Sequence, residues 1–525
     1  MLRSWPFTAN PGYETFRATP AQSPFLCRKR VARLMKKLLL LLSLCTGALG
    51  ASAQTPPPVA AAPAALYSVE QLQSDFAYLR RALQEAHPGL YWYTPHDSLD
   101  RAFARTAAAL SHPMAELAYW KLLQTLVAQV HCGHTRVQHS AAYRAWFRRQ
   151  PHAYFPFTVA IRQNRLFVVD NQSATPDLQP GTEILAIDGH PTAEILPRLR
   201  ALISADGYGT SFQDHELEAG FFDEYYWSCY EARPAYPLLV RDSSGHQRRL
   251  TPQPKPVLAA APGTPATPAA APSPEQAQAR RLARLRSVRY LDTPPATALL
   301  RISSFSYDEA DEYKTFHAAL FAELAQRRTK RLVVDLRGNP GGNNAIAVDL
   351  LKYLLKSDFV LTTSALAPVR IPSFMQPDPG SPAFFDTTQV KRLPDGRFGF
   401  AAATVGVQHP YRGHYFRGQV ILLVDGGTFS AASNLAASLR AQRRITIIGQ
   451  ESGGAEAGLN GGTLSRLELP QTHLVVQLPH FRLLTACANP QPGRGVRPDR
   501  VVVPTPQQVA AHTDAILSQL ATLLP

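Results

Sequence analysis

The stretch "LLVDGGTFSAASNLAASL", residues 422–439, runs from an apolar strand through two glycines into a helix of small residues. Thr428, Phe429 and Ser430 sit at the junction. A serine on the turn between a buried strand and a helix stands exposed at the sheet edge. The helix start behind it offers unpaired backbone N–H groups and a partial positive field. Both favour a developing oxyanion when the serine attacks a carbonyl. The plainer reading is an N-cap, where serine is common.

The same rhythm extends on both sides. Strands are predicted at 298–303, 331–336, 419–424 and 444–449, and helices at 308–327, 344–355 and 430–441. Buried apolar strands alternating with helices predict an α/β core with a parallel or mixed sheet. A second corner, Gly338-Asn339-Pro340-Gly341-Gly342, leaves the strand "RLVVDL". Glycines there let backbone approach a ligand and turn N–H groups outward. No GK[ST] follows, which argues against a phosphate cradle. Two such corners in one sheet would supply both halves of an oxyanion hole.

Upstream, "YSVEQLQSDFAYLRRALQEAHPGLYWY" opens with a capping box, Ser68 to Gln71, and carries Leu72, Phe76, Leu79 and Leu83 at helical spacing. Helices at 97–111 and 114–130 complete a helical unit that ends in "VHCGHTRV". From Phe155 short strands take over. The order at 178–198, a Pro180-Gly181 turn, a strand, an Asp188-Gly189 turn and a helix, resembles a PDZ domain of bacterial proteases. That resemblance implies a groove taking an extended peptide by strand addition; a generic strand–turn–helix is the alternative. The aromatic run "FFDEYYWSCY" at 221–230 fits a groove or a domain interface, and the Pro/Ala-rich 252–275 reads as a linker or an extruded loop.

With 45% hydrophobic and 18% charged residues over 525 positions, the composition is globular and allows two or three domains. The net charge of +15 is partly local, since residues 1–53 contribute +7 from eight basic residues against Glu14. No basic stripe is interleaved with aromatics, so a solvated basic surface is favoured over nucleic-acid binding. "MKKLLLLLSLCTGALGASAQ" from Met35 has the form of an export signal with cleavage after Ala53, and its apolar part is short for a membrane span of about 20 residues. Residues 1–34 do not share that logic, which leaves Met1 or Met35 as the start. Cys45 follows a leucine where a lipid anchor wants a small residue. Cys132, Cys229 and Cys487 remain, which is neither a disulfide framework nor a zinc pattern, although one pair could bridge.

Taken together, "VVDLRGNPGG", "GGTFSAAS", "GVRPD" at 495–499 and "CGHTRV" resemble, in order, motifs of the tail-specific (C-terminal processing) serine peptidases and their tricorn-like relatives. The likeness spans roughly 66–505. It implies a crotonase-like mixed sheet core, an N-terminal helical cap region and a PDZ-like β-rich domain. It puts Ser430 at the nucleophile position, with the N–H groups of Ala431 and of Gly341 or Gly342 as the oxyanion hole. The lysine base of many members falls here on Ala455, so a Ser–Lys dyad is not expected. In the tricorn-like branch a histidine takes that role, and His134 is the match, with a near-neutral pKa suited to a base. His131 lies outside the matching His-Thr pair. The branch's glutamate before Gly-Val-x-Pro-Asp is missing from "ANPQPGRGVRPD", which leaves Glu451 or Glu456 to orient His134 and a structural role for Asp499. Cys132 stands where relatives often have Asp.

The organisation expected is a leader and signal at 1–53, a helical region at 66–150, a PDZ-like domain at 151–251, a linker at 252–290, a peptidase core at 291–510 and a C-terminal helix at 511–525. The function implied is an exported serine peptidase acting on polypeptides, with no metal or organic cofactor, no nucleic-acid partner and no membrane span after signal removal. The competing reading is a catalytically silent peptide-binding scaffold, motivated by the missing lysine and acid. An esterase elbow fails, because Ser430 lies in T-F-S-A-A and not in G-x-S-x-G.

Overall fold

The computed structural model describes residues 66–149, 155–230, 235–252, 273–306, 312–375, 390–401, 403–443 and 445–524. The expected signal, the leader after it and most of the Pro/Ala-rich stretch lie outside the described residues.

The apolar runs of the second half assemble one sheet. Its strand order is Arg500–Val501, Thr446–Gly449, Gln419–Val424, Arg331–Asp335, Thr297–Ile302 and Arg286–Leu291. All neighbours are parallel except the last pair. Such strands are apolar throughout because both faces are covered. Leu332, Val334, Val420 and Leu422 pack with the helices Tyr313–Gln326, Asn344–Leu354 and Ala431–Gln442. The alternate residues Val333, Ile421, Leu423 and Ile448 turn the other way and meet Ile516 and Leu520 of the C-terminus.

Two boundaries move. Residues expected as linker up to 290 include a helix, Pro274–Leu285, started by a Ser273–Gln276 capping box, and the edge strand Arg286–Leu291. In place of the single C-terminal helix expected at 511–525 there are a 3₁₀ turn Leu517–Gln519 and one α-turn Leu520–Leu523, with a separate short helix Pro506–Ala510 before them. Asp514 causes the break: its carboxylate accepts from the N–H groups of Ile516 and Leu517 and holds Arg337 at 2.7 Å.

The N-terminal region is helical, with Val69–Ala86, His96–Ala109 and Glu116–Ala128. Ser68 and Gln71 make the reciprocal capping box that the sequence predicts, and Leu72, Phe76, Leu79 and Leu83 are buried. A short strand, Arg136–Gln138, then leaves this region and pairs antiparallel with Val475–Gln477 of a long hairpin, Gly458–Glu468 with Val475–Leu484. That pairing sets the turn just before it, residues 131–135, against the core.

The middle region, from 155 to 250, carries its own antiparallel sheet of Phe157–Arg162, Arg165–Asn171, Glu183–Ile187, Leu238–Arg241 and Gln247–Leu250, with Thr192–Arg200 packed beside it. The aromatic run forms a helix, Phe222–Cys229. Phe222 and Tyr226 enter the local core, while Tyr225 and Cys229 also touch the helical region's core, so this run is both core and interface. No helix among the described residues is long and apolar enough to cross a membrane.

Candidate active site

Both glycine corners open at the same end of the core sheet and are stitched together. Asp425 Oδ1 accepts from the N–H of Gly427 at 2.9 Å and from that of Gly338 at 2.8 Å. Thr428 Oγ1 donates to Leu336 O at 2.9 Å, and Phe429 N–H to Asn339 O at 2.9 Å. Gly341 needs to be glycine because a Cβ there would lie 2.6 Å from the Ser430 Cβ. Gly342, at φ +136°, crosses so close to Phe305 that a Cβ would fall 2.3 Å from its carbonyl carbon.

Ser430 begins the helix Ala431–Gln442 with φ 53° and ψ −125°, a conformation that side-chain-bearing residues rarely adopt. Its hydroxyl makes no capping bond. The Oγ lies instead 3.1 Å from His134 Nε2. The two residues are 296 positions apart, so only the tertiary fold brings them together. The His134 ring stacks on Phe429 with centroids 4.7 Å apart, and its carbonyl accepts from Gln477 Nε2 at 2.9 Å. Burial pushes the imidazole pKa down to about 4, with Arg136 adding to the effect, so His134 is neutral at pH 7. Its Nδ1 is buried without a hydrogen-bond partner.

Around the serine, two backbone donors are unused. Neither the N–H of Ala431, at the first helical position, nor that of Gly342 has a partner among the described residues. The N–H of Gly341 is already given to Asn339 Oδ1 at 2.9 Å, so of the two glycines expected as donors it is Gly342 that remains available.

Neither acid expected beside His134 reaches it. Glu451 forks onto Arg494, through Nε at 3.0 Å and through Nη2, and accepts the Gly495 N–H at 2.8 Å. It lines an open cleft of about 650 Å³, with Tyr208, Arg440, Arg497 and Val501, to which neither Ser430 nor His134 contributes. Glu456 faces Arg440 at 3.6 Å. The backbone ties this loop to the 494–495 segment, since Ala455 pairs with Gly495 in an antiparallel bridge and Glu456 N–H bonds to Arg494 O. Asp499 accepts the Ile447 N–H at 2.8 Å.

Two polar residues near the histidine turn carry no motif in the sequence. Gly89 N–H donates to His87 Nδ1 at 3.2 Å, which leaves the His87 Nε2–H to donate to Thr135 Oγ1 at 2.8 Å; Thr135 in turn donates to Cys132 Sγ at 3.2 Å. Burial holds His87 neutral, with its pKa near 3, and pushes the Cys132 thiol up to about 12, far from a reactive thiolate. Asp206, from the middle region, accepts the Gly133 N–H through Oδ1 at 2.8 Å.

Residues 296–502 match the model of peptidase family S41. The core therefore carries a domain of that family, and the protein is a serine-type peptidase. The match covers both corners and Ser430 but stops short of the helical and middle regions that deliver His134 and Asp206. Among solved structures the chain is similar to mature CPAF in complex with lactacystin, at TM-score 0.58 and 15% identity over 87% of this chain and 99% of that one. It is likewise similar to mature CPAF alone, at TM-score 0.56 and 14% identity over 87% of this chain and 98% of that one. At such identities the likeness concerns the fold. No curated protein sequence matches the chain.

Proposed function

We propose that this protein is an exported serine peptidase that hydrolyses peptide bonds in polypeptides, with Ser430 as nucleophile and His134 as general base. The observation that carries this reading is the 3.1 Å contact between His134 Nε2 and Ser430 Oγ. As Oγ bonds to the substrate carbonyl carbon, its proton passes to Nε2. The carbonyl oxygen becomes an oxyanion that the N–H groups of Ala431 and Gly342 receive at the positive end of the helix. The imidazolium then returns its proton to the leaving amine, and water repeats the cycle on the acyl-enzyme. Ala455 contributes only a methyl group where a lysine base would stand, consistent with the histidine-using, tricorn-like branch.

In the same reading the core is crotonase-like and the middle region acts as a PDZ-like module that takes an extended polypeptide by strand addition. The segment from Met35 to Ala53 directs export. A silent peptide-binding scaffold is the less favoured alternative: a histidine held neutral, an uncapped serine in a strained turn and two open donors have no use in mere binding.

The test is cleavage of a complex peptide mixture by the purified enzyme and by Ser430→Ala and His134→Ala, with products read by mass spectrometry. Each variant is expected to lose cleavage by at least about 10³-fold while melting near the parent temperature. Cleavage that persists in Ser430→Ala, or a wild type that neither cleaves nor reacts with a fluorophosphonate probe, overturns the proposal.

A further inference from the structure

Asp206 lies in the segment between the helices Thr192–Arg200 and Ser211–Glu216 of the middle region. The segment is pinned against the catalytic turns. Gly207 N–H donates to His131 O at 3.2 Å, Tyr208 N–H to Gly493 O at 2.8 Å and Tyr208 OH to Tyr93 O at 2.7 Å. Asp206 is almost wholly buried, and its Oδ1 holds the Gly133 N–H one residue before His134. Gly133 is wrapped tightly: a Cβ there would lie 2.6 Å from the Phe429 ring and 3.5 Å from Asp206 Oδ1, and the same ring stacks on His134.

Buried polar atoms in folded proteins are nearly always paired. Around this turn four are not: His134 Nδ1, Asp206 Oδ2, Tyr93 OH and Asn460 Oδ1. Asn460 belongs to the same cluster, since its carbonyl faces Cys132 Sγ at 3.9 Å. For Nε2 to accept the serine proton, the neutral imidazole must carry its own proton on Nδ1. Nδ1–H is then a donor without an acceptor, and Asp206 Oδ2 is an acceptor without a donor. One water between them would satisfy both.

We propose that Asp206 is the positioning acid of the Ser430–His134 dyad, fixing the histidine turn through Gly133 and receiving the Nδ1–H of His134 through a bridging water. This rests on the dyad reading above. Once Asp206 is ionised, the imidazolium formed when Nε2 takes the serine proton faces a carboxylate instead of an uncompensated interior. The acid comes from the middle region, so the base is tuned from a part of the chain outside the matched domain.

The test reads the reactivity of Ser430 without needing the natural substrate. Fluorophosphonate labelling rates are measured from pH 4 to 9 on the purified enzyme and on Asp206→Asn, Asp206→Ala and His134→Ala, with kcat and KM on one cleaved peptide. Burial pushes the Asp206 carboxyl up to about 7 against the Gly133 and Ala455 N–H groups, with Tyr93 and Cys132 facing it, Arg482 beyond Tyr93 and Tyr208 on its own segment. The wild-type rate is therefore expected to rise in two steps, near pH 4 with His134 and near pH 7 with Asp206. Asp206→Asn keeps an acceptor for Gly133 but no charge; it is expected to lose the upper step and about 10²-fold in plateau rate and kcat, with KM unchanged. Asp206→Ala is expected to fall further. An Asp206→Asn enzyme with wild-type rate and profile, beside an inactive His134→Ala, overturns this assignment alone. A His134→Ala enzyme labelled at the wild-type rate removes the dyad and this assignment with it.

Discussion

Ser430 is held at positive φ by its neighbours: Gly341 leaves no room for a side chain against its Cβ, and Ser433 Oγ donates to its carbonyl at 2.8 Å. Local strain of this kind recurs at reactive residues because the surrounding fold over-determines it. Asp206 carries a cost of a different kind. Its folded-state pKa of about 7 lies above the ordinary 3.8, so the folded protein binds this proton more tightly than the unfolded chain. The resulting stability is fully present below pH 3.8 and is lost as pH rises through 7. Asp206→Asn is therefore expected to melt a few degrees above the wild type at pH 8, with the gap closing towards pH 4, as followed by calorimetry. A variant that melts lower at pH 8 would mean that the buried charge is compensated. Of these residues Ser430 was legible because its signal is local, two glycines between a strand and a helix. His134 needed the family resemblance. Asp206 and His87 were not legible, since "SADGYG" and "AHPG" acquire meaning only when distant segments bury them. Glu451 and Glu456 were chosen for nearness in sequence to the lost lysine, and they face Arg494 and Arg440 instead.

Between elements, the decisive contact is the carboxylate of Asp425, which accepts from both corners at once. Asp425→Ala frees the N–H groups of Gly338 and Gly427 and lets the nucleophile turn shift relative to the Gly342 donor. The expected outcome is a stability loss of about 1–3 kcal/mol in urea titration and a fall in kcat that exceeds the change in KM. Unchanged kcat would show that the turns hold their spacing without this bridge. The core strands and the first helix were readable in advance because each buries a continuous or helically spaced apolar set. The helix Pro274–Leu285 was not separated from the low-complexity run beside it, although Ser273-Pro274 and a glutamine three residues after Ser273 are a helix-start signature. The broken C-terminus depends on the Asp514–Arg337 pair, which joins residues 177 positions apart and leaves no local trace.

Across the whole molecule, the mechanism proposed above divides the chemistry among three regions. The core supplies Ser430 and the donors, the helical region supplies His134, and the middle region supplies Asp206. Apart from Trp5 ahead of the expected signal, Trp92, Trp120 and Trp146 lie in the helical region and Trp227 in the middle region, while the core from 291 onwards has no tryptophan. Tryptophan fluorescence therefore reports the two outer regions. In urea, the fluorescence change and the loss of Ser430 labelling are expected to coincide, because the nucleophile loses its base when the outer regions loosen. Labelling that outlasts the fluorescence change would mean that the core is competent by itself. The strand Arg136–Gln138, which leans on Val475–Gln477, has one more implication. During synthesis His134 leaves the ribosome long before Ser430, and the strand that seats its turn leaves later still. A chain still being made, even one that already carries both reacting side chains, has no assembled enzyme with which to cut itself or its neighbours.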